Sequence, residues 1–436
     1  MIVIRERNIG IGLLGLGTIG AGVVEILAQK SASYEKNLGF SIELIKILVA
    51  DANKTRDIQT NAKITADFLD LIDDPKIDLI VEAIGGETPA FEYIRKAIDS
   101  GKHVVTANKE VIAKYGPELI KHAVDNGVSI RFEASVGGGI PILRPLSRDL
   151  LANDFNKITT IINGTTNYML TRMSLQNENY SAALEKSKSL GYAEPDPTAD
   201  VEGIDAAYKL AILSSLAFKV RVRFEEVYAE GISNLDLADF VYAKELGYVV
   251  KLLAIAEKFD DGIQVRVHPS FVPMEHPLAK VNGVQNAIQL SGDLVGSVIL
   301  EGPGAGKSPT ASAIIGDIFE TAEAIFEQKK LPPYPFGGNS AKIQHIDLLH
   351  SQYYLRIKVK DQPGVMAEIS RALGDRDVSL ASVIQKDLAV LDGSTEIVVT
   401  THSALEASVR GAIASIRAQD AVIDVFNLIR IEEVIA

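Results

Sequence analysis

A run of carboxylates followed by a lysine is the part of this chain best suited to chemistry. The acidic side chains lie in and just after a proline-broken loop, and they are Glu194, Asp196, Asp200, Glu202 and Asp205. Asp205 and Lys209 are four positions apart in the helix predicted to follow, so both project from one face of it. An ammonium group among several carboxylates can exchange a proton and can help to bind a small cationic or amino-acid substrate.

A plain surface pair is the simpler interpretation of Asp205 and Lys209. Such a pair stabilises a helix by only about 0.2–0.5 kcal/mol. The helix itself argues against exposure, because apolar side chains recur at helical spacing, namely Ile204, Leu210, Ala211, Leu213 and Leu216. We therefore predict that the pair faces a pocket.

A glycine turn near the start of the chain predicts a dinucleotide site. An apolar strand, Ile9 to Leu14, leads into G-x-G-x-x-G and then into a helix of small residues. The first glycine permits a tight turn, the second lets a pyrophosphate approach the backbone, and the third lets the helix pack against the sheet. The helix N-terminus then offers N–H groups to the phosphates. The predicted contacts are Gly15, Gly17, Thr18, Ile19 and Gly20.

The end of the second predicted strand bears on which dinucleotide is bound. The strand runs from Ile42 to Val49, and Asp51 follows it at the position where a carboxylate accepts from the adenine ribose hydroxyls of NAD. The spacing from the glycines is long, which we attribute to an inserted loop over residues 31–40. Lys54 and Arg56 follow closely and could hold the 2′-phosphate of NADP instead. The choice between NAD and NADP therefore stays open, and Asp51 favours NAD.

Further strand ends are predicted to meet at the same edge of the sheet. Strands at Ile77 to Ile84 and His103 to Thr106, with a helix from Pro89 to Ser100 between them, continue a β/α alternation that indicates a doubly wound parallel sheet. Ligands of such sheets bind beyond the carboxyl ends of the strands. The residues predicted at these ends are Gly85, Thr106 and Lys109.

Two glycine-rich segments complete the candidate sites. After a strand at Ser129 to Phe132, Glu133 precedes three glycines at 137–139, and one carboxylate with accessible carbonyls would suit a hard cation. A hinge between domains explains these glycines equally well. The segment Glu301–Ser308 resembles a phosphate-binding P-loop but has glutamate where that motif needs its first glycine. We expect its Gly306 to contact a ligand.

The sequence changes character after Lys157. Strands at Ile158 to Ile162, Gln264 to His268 and Ala287 to Leu290, with a helix from Tyr242 to Phe259, predict an α+β second domain. A helix from Thr310 to Phe326 follows, and then a proline- and glycine-rich linker. The remaining segments indicate a β-α-β-β-α-β ferredoxin-like unit, with the elements Tyr353 to Val359, Val365 to Leu373, Val378 to Gln385, Thr395 to Thr400, Leu405 to Ile416 and Val422 to Ile431.

Composition excludes several classes of function. The chain has 436 residues, a net charge of −13 and a pI near 5.1, which argue against nucleic acid or an anionic membrane as partner. No apolar run approaches the ~20 residues of a membrane span, and the start does not read as a signal peptide, so we expect a cytoplasmic protein. Cysteine is absent, which excludes disulfides and a thiolate nucleophile.

Across nearly its whole length the chain resembles the homoserine dehydrogenases with a C-terminal ACT domain. The most specific motif is GYAEPDPTADVEGIDAAYKL, supported by VVTANK, FEASVGGGIP, NGTTNY and, in the ACT-like segment, DQPGV. The resemblance implies reversible conversion of L-homoserine to L-aspartate 4-semialdehyde with NAD(P), in threonine and methionine biosynthesis. It also implies a homo-oligomer and an amino-acid effector, threonine above all, at the ACT domain.

The resemblance also assigns roles to residues. Lys209 would exchange the proton, with Asp205 beside it, and Lys109 would lie at the nicotinamide and substrate. Glu194 and Asp200 would hold the substrate's ammonium and hydroxyl groups. A sodium or potassium ion would lie among Glu133, Val136, Gly138 and Ile140, mainly at their carbonyls. NADP-dependent members often carry arginine where this chain has Ala50, which again favours NAD.

The expected domains are a Rossmann-like domain over residues 1–140, a catalytic and dimerisation domain over 141–309, a linker over 329–352 and an ACT domain over 353–436. A helix near 310–328 would return to the first domain. Lysine is too basic to exchange protons near neutral pH unless burial or a second cation lowers its pKa. We therefore predict that Lys109 and Lys209 face each other across the substrate. The alternatives are a sensor of nucleotide and amino acid without turnover, and a dehydrogenase of another small amino alcohol.

Overall fold

A computed structural model describes residues 8–337, 340, 342–386 and 393–432. The first residues, parts of the predicted linker (338, 339 and 341) and parts of the ACT-like segment (387–392 and 433–436) lie outside the described residues. The chain divides into two compact units. The first comprises Met1–Ile158, Tyr208–Glu225 and Asn286–Ala341, and the second comprises Thr159–Ala207, Glu226–Gln285 and Lys342–Ala436.

The strands of the described residues are, in chain order, β1 (Ile9–Leu14), β2 (Ile42–Leu48), β3 (Lys63–Thr65), β4 (Leu79–Glu82), β5 (His103–Thr106), β6 (Ile130–Arg131), β7 (Phe155–Ile161), β8 (Tyr228–Ala229), β9 (Tyr248–Phe259), β10 (Gly262–Pro273), β11 (Gln285–Gly292), β12 (Gly296–Pro303), β13 (His350–Lys360), β14 (Leu380–Gln385), β15 (Ser394–Thr401), β16 (Ala404–Leu405) and β17 (Val422–Ile431). The α-helices are α1 (Thr18–Leu38), α2 (Leu69–Ile72), α3 (Ala90–Asp99), α4 (Lys109–Asp125), α5 (Leu143–Ser147), α6 (Gly164–Gln176), α7 (Tyr180–Ser189), α8 (Thr198–Val201), α9 (Ile204–Ala217), α10 (Leu237–Glu245), α11 (Lys307–Glu327), α12 (Val365–Gly374) and α13 (Glu406–Arg417).

The first unit is built on a parallel sheet with the strand order β3-β2-β1-β4-β5-β6. This is the order of dinucleotide-binding sheets, which reverse direction between the first and fourth strands. All six residues of β1 are buried, as expected of a central strand covered on both faces. The predicted Rossmann-like sheet is confirmed, and its switch point lies at the carboxyl ends of β1 and β4.

Helix α11 packs along α1 in the first unit. Ile314, Ile315 and Ile318 of α11 share one apolar core with Val23 and Val24 of α1. Gly22 allows this contact, because a Cβ there would approach Cγ of Lys307 to 2.9 Å. Part of the predicted linker also packs on this unit: Tyr334 is buried against the ring of Phe132, and Arg131 donates to the Pro332 carbonyl.

The second unit contains the predicted ferredoxin-like module. Its strands lie in the order β9-β10-β17-β13-β15-β14, and the module's elements follow one another as β13-α12-β14-β15-α13-β17. The module has its own apolar core, formed by Leu355, Ile357, Ile369, Ile413 and their neighbours. The last strand, β17, also pairs in parallel with β10, so the module shares main-chain hydrogen bonds with the preceding part of the second unit.

The helix predicted from Tyr242 to Phe259 is wrong. Helix α10 starts earlier, with a capping box between Asp236 and Asp239, and ends at Glu245 before Gly247, which has a φ of 85°. Residues Tyr248–Phe259 form β9, and all twelve pair with β10. Seven consecutive residues of β9 are buried. A strand buried on both faces gives a continuous apolar run, which periodicity alone does not distinguish from a buried helix.

The loop predicted over residues 31–40 is also wrong. Helix α1 continues to Leu38 and ends at Gly39, whose φ is 77°. Tyr34 holds this extension because its ring packs edge-on against Phe319 at a centroid distance of 4.5 Å. The strand β12, which precedes the glycine loop, was not predicted at all. Within the described residues no helix is long and apolar enough to cross a membrane.

A buried carboxylate joins the module to helix α10 within the second unit. Asp239 is fully buried and accepts hydrogen bonds from Tyr354 Oη at 3.1 Å, Arg356 Nε at 2.9 Å and Asn427 Nδ2 at 2.6 Å. The Arg356 side chain also donates to Glu396 at 3.0 Å and is itself almost completely buried. Removing one member of such a group leaves the other charge buried without its partner.

Asp239→Ala is therefore expected to lower the free energy of unfolding by about 3–5 kcal/mol, measured by urea denaturation. The matched control is Glu245→Ala on the same helix, which removes a partly exposed ion pair with Lys386 and should cost no more than about 1 kcal/mol. Equal losses for the two variants would contradict a structural role for the buried group.

Candidate functional site

The glycine turn has the geometry that a pyrophosphate requires. Gly15 has a φ of 97°, and a Cβ there would approach the Ala83 carbonyl oxygen to 2.7 Å. A Cβ on Gly20 would meet the Gly15 carbonyl oxygen at 2.1 Å, so the start of α1 can lie this close to the turn only with glycine. Gly17 faces open space and is the N-cap of α1 without a side-chain hydrogen bond. The first N–H groups of α1 are thus directed at an anion site.

A cleft of about 400 Å³ opens beside this turn in the first unit. Its lining residues come from the end of β2, from the segments that follow β1, β2, β3 and β4, and from α3. They are Gly15, Leu16, Gly17, Leu48, Val49, Ala50, Lys54, Arg56, Ala66, Ile84, Pro89 and Tyr93. The lining is apolar apart from two cations. A flat aromatic base with an adjacent phosphate fits this chemistry, so the residues present fit a dinucleotide.

The Asp51 side chain is not among the lining residues. It is exposed, and its Oδ1 accepts from the Asn53 backbone N–H at 2.9 Å, while its main-chain oxygen accepts from Arg56. Arg56 also donates to the Lys54 carbonyl at 2.8 Å, so its guanidinium is fixed at the edge of the cleft. The turn after β2 therefore presents cations to the cleft and directs its carboxylate back into the loop.

A buried glutamate orders the strand ends that carry Gly85, Thr106 and Lys109. The Glu82 carboxylate, at the end of β4, accepts from the backbone N–H groups of Ile84 and Gly85 and from the Thr106 hydroxyl. Thr106 in turn accepts from the N–H of Asn108, the N-cap of α4, and Lys109 is the first residue of that helix. The structure thus joins the predicted residues through Glu82 and Asn108, which the sequence analysis did not single out.

Asn163 brings two predicted carboxylates together in the second unit. Its Nδ2 donates to Asp200 Oδ1 at 2.7 Å and to Asp205 Oδ2 at 3.0 Å. Asn163 directly follows β7 and caps α6, Asp200 lies in α8, and Asp205 is in the first turn of α9 and buried. Glu194 lies in the preceding loop with its side chain exposed.

A second asparagine one turn further along α6 anchors this helix. Asn167 donates to the carbonyls of Val281 and Gln285 and accepts from the ammonium group of Lys251. Lys251 also donates to Val281 and Asn282, and burial lowers its pKa to about 8. A buried lysine that has these neutral partners therefore fixes the loop before β11 to the helix that carries Asn163.

The two lysines lie on elements of the first unit. Lys109 begins α4 and Lys209 lies in the part of α9 that belongs to this unit, and both side chains are half-buried. The residue before Lys209 is well anchored, because the Tyr208 ring stacks on Phe224 at 3.9 Å and has Lys114 over its face. That Lys109 and Lys209 face each other across a substrate stays a prediction.

The Glu133 carboxylate, which we expected among the oxygen ligands of a cation, accepts hydrogen bonds from the backbone of the first unit. Its two oxygens accept from the backbone N–H groups of Ile142, Leu143 and Arg144 and so cap helix α5. Burial raises the pKa of this carboxyl, and the three N–H groups oppose that rise. That a cation lies among Glu133, Val136, Gly138 and Ile140 stays a prediction. Within the part of the chain that the structure describes, no group of three or more His, Asp or Glu side chains is placed so that it could hold a metal ion.

The glycines of this loop pack tightly within the first unit. Gly138 has a φ of 56°, and a Cβ there would meet the backbone carbon of Gly304 at 2.4 Å. Gly139 donates to the Pro303 carbonyl at 3.1 Å. The second glycine loop then ends at Gly306, the N-cap of α11, with a φ of 116° and no side-chain cap. Gly306 therefore marks a second helix start without a side-chain acceptor.

Comparison with known proteins agrees with this geometry. Family models described as "Homoserine dehydrogenase, NAD binding domain", "Homoserine dehydrogenase" and "ACT domain" match residues 15–133, 141–319 and 353–418. Homoserine dehydrogenases of Pseudomonas aeruginosa and Neisseria gonorrhoeae are each 40% identical over 432 residues, which cover 98% of this chain and 99% of the relative.

Solved structures show the same relationship. The crystal structure of a homoserine dehydrogenase from Thiobacillus denitrificans is similar with a TM-score of 0.92 and 40% identity, covering 98% of this chain and 99% of that one. A hyperthermophilic archaeal homoserine dehydrogenase in complex with NADPH is similar with a TM-score of 0.62 and 29% identity, covering 75% of this chain and 99% of that one.

Proposed function

This chain belongs to the homoserine dehydrogenase family, and on that premise we propose that it interconverts L-homoserine and L-aspartate 4-semialdehyde, in threonine and methionine biosynthesis. The observation that carries the proposal is the uncapped α1 N-terminus at the switch point of the parallel sheet, beside a cleft that fits a dinucleotide. A bound nicotinamide would supply the acceptor or donor of the hydride.

The residues of this chain bind and orient the cofactor. The N–H groups at the start of α1 bind the pyrophosphate next to Gly17, because no side chain occupies that position. Glu82 fixes the Gly85 loop and Thr106 near the strand ends. Lys109 and Gly306 are the further cofactor contacts that we propose, each at the start of a helix.

Proton transfer is assigned to Lys209. Oxidation of homoserine removes the hydroxyl proton as the hydride leaves, and the reverse reaction must protonate a developing alkoxide. Lys209 takes and returns this proton, and the ammonium group of Lys109 neutralises the alkoxide charge. Asp205 orients Lys209 from one turn before it on α9.

Substrate binding is assigned to Glu194 and Asp200. A carboxylate is the expected partner for the ammonium group of an amino acid, and ionised acceptors form the stronger hydrogen bonds. Asp200 is held by Asn163 at 2.7 Å, so its position is fixed before substrate binds. Glu194 lies in a loop with its side chain exposed, so its carboxylate is accessible to the ammonium group of a substrate.

Lys209→Met is expected to lower kcat by about 100-fold or more, because the proton donor is lost, while the Kd of the dinucleotide changes little. Initial rates with homoserine and fluorescence titration of the reduced dinucleotide measure the two effects. Lys186→Ala on α7, an exposed lysine, is the control and should leave both unchanged. A Lys209→Met enzyme with nearly full kcat would remove Lys209 from the proton-transfer step.

The cleft favours acceptance of NADP as well as NAD. The sequence favoured NAD because of Asp51, but the cations Lys54 and Arg56 line the cleft and Asp51 does not. A 2′-phosphate would meet these two side chains in charge-assisted hydrogen bonds. The proposal is that both dinucleotides are used and that Lys54 and Arg56 discriminate between them.

The double variant Lys54→Ala, Arg56→Ala is expected to raise KM for NADP about tenfold or more and to leave KM for NAD within about threefold, because only the phosphate contacts are lost. Steady-state kinetics with both dinucleotides measure the ratio. Asp51→Asn is the matched control on the same turn and should change neither value strongly. If Asp51→Asn impaired NAD selectively, the carboxylate would be the ribose ligand after all.

A monovalent cation, sodium or potassium, is proposed at the main-chain oxygens of Glu133, Val136, Gly138 and Ile140. The support is the tight packing of this loop, in which Gly138 abuts Gly304 without room for a side chain. Hard cations prefer such oxygen ligands. Thermal unfolding in sodium or potassium chloride, compared with tetramethylammonium chloride at equal ionic strength, tests the proposal, and identical midpoints in all three salts would oppose it.

The ACT module is proposed to bind an amino-acid effector, threonine above all, and to mediate homo-oligomerisation. The turn Asp361–Val365 precedes α12, and Gly364 has a φ of 98° at the N-cap, so backbone N–H groups are accessible there. Asp239 gives the module a physical link to α10, and α10 packs on α6. Titration of activity with threonine and other amino acids tests the effector, and a response to none of them would leave the module with an assembly role.

A further inference from the structure

We propose that Asn163 is a positioning residue whose side-chain amide keeps the carboxylates of Asp200 and Asp205 together in their ionised forms. The proposal rests on the proposed function, in which Asp200 binds the substrate and Asp205 orients Lys209. It adds a residue that touches neither the substrate nor the cofactor in that scheme. Its side-chain hydrogen-bond partners Thr166, Asp200 and Asp205 lie within the second unit.

The orientation of the amide is fully determined by its hydrogen bonds. Oδ1 accepts from the backbone N–H of Thr166 at 2.9 Å and from the Thr166 hydroxyl at 3.0 Å. Nδ2 uses its two hydrogens on Asp200 and Asp205. The reversed orientation would place an N–H group against the Thr166 N–H and an oxygen between two carboxylates, so it is excluded. Asn163 is buried, and each polar atom of its side chain is satisfied.

The two N–H groups of Asn163 offset the repulsion between the carboxylates of Asp200 and Asp205. The two carboxylate oxygens bound to Nδ2 lie within 5.7 Å of each other, the sum of the two bond lengths. Two carboxylates at such a distance repel, and repulsion raises the pKa of one of them unless donors stabilise both charges. An amide offers two donors without adding a charge. A lysine in its place would compete with Lys209 and with the substrate's ammonium group for the same oxygens.

Other charged residues lie close to the pair in the sequence or on the helix that Asn163 caps. The loop and short helix around Asp200 carry Glu194, Asp196 and Glu202, and Glu202 accepts from the Ser233 hydroxyl. Lys209 follows on α9, and Arg172 on α6 is engaged by Glu178. The acids outnumber the cations in these segments, so two neutral N–H donors from Asn163 favour the ionised forms of both Asp200 and Asp205 as the pH falls.

Asn163 has two structural roles that substitutions can separate: its Oδ1 caps α6, and its Nδ2 bridges the carboxylates of Asp200 and Asp205. Asn163→Ser keeps a side-chain oxygen for the start of α6 but loses the double donor, while Asn163→Ala loses both. Asn179 is the matched control, because it caps α7 through the same bond, to the Ala182 N–H at 2.9 Å. Asn179→Ala removes a cap and leaves both carboxylates untouched.

We expect both Asn163 variants to raise KM for homoserine about tenfold and to shift the acid limb of kcat/KM upwards by about one pH unit, because one carboxylate then retains its proton to higher pH. The Kd of the reduced dinucleotide should stay unchanged in a fluorescence titration. Asn179→Ala should lower only the thermal midpoint. A wild-type KM and acid limb in Asn163→Ser, or equal shifts in Asn179→Ala, would overturn the positioning role.

A measurement without turnover separates this role from the proposed function. The difference in unfolding free energy between the wild type and Asn163→Ser should be largest near neutral pH. It should shrink as the pH falls through the pKa of the two carboxyl groups, because carboxylates stabilised in the folded state contribute above that range and lose their contribution below it. A difference that does not vary with pH would reduce Asn163 to a helix cap. If the wild type does not turn over homoserine, the proposed function is wrong. The pH dependence of unfolding still tests whether Asn163 keeps Asp200 and Asp205 ionised.

Discussion

The proposed dinucleotide site depends on one constraint, the close approach of the backbone at Gly20 to the backbone at Gly15. A Cβ on Gly20 would lie 2.1 Å from the Gly15 carbonyl oxygen, so no other residue permits the start of α1 to lie against the turn after β1. That contact directs the first N–H groups of a 21-residue helix at the switch point of the sheet. Glu82 then fixes the neighbouring strand ends.

The proposed substrate site contains polar groups that are hydrogen-bonded to one another in the absence of a ligand. Asn163 holds Asp200 and Asp205, and Asn167 with Lys251 anchors the same helix to the loop before β11. In the same unit Asp239 joins α10 to the ferredoxin-like module through Arg356 and Tyr354. Buried polar networks of this kind are costly when incomplete and specify one arrangement when complete. They keep charged groups in place where apolar packing alone would not.

The sequence predicted the features that local patterns encode. Strand and glycine patterns predicted the Rossmann-like sheet, and the alternation after residue 350 predicted the ferredoxin-like module. The prediction of a helix at Tyr242–Phe259 was wrong because β9 is buried along most of its length. Such a strand lacks the alternation of apolar and polar residues by which strands are recognised. The polar composition of residues 31–38 predicts a loop, whereas the contact of Tyr34 with Phe319, which is far away in the chain, holds these residues in the helix.

The candidate site shows the same limit. Lys109, Lys209 and the carboxylates could be selected from residue type and spacing. Asn163 could not, because its partner Asp200 is 37 positions away and an asparagine after a strand is ordinary turn chemistry. The hydrogen bonds of the Glu133 side chain could not be predicted for a related reason, since its N–H partners lie about ten residues further along the chain, at the start of α5. Long-range hydrogen bonds decide which polar residues are available to a ligand.

The most direct measurement is the absorbance of the reduced nicotinamide when the purified full-length protein is mixed with L-homoserine and NAD or NADP. The account predicts that absorbance rises with at least one dinucleotide, and that L-aspartate 4-semialdehyde with the reduced dinucleotide makes it fall. A folded protein that binds the dinucleotide but changes the absorbance in neither direction would contradict it.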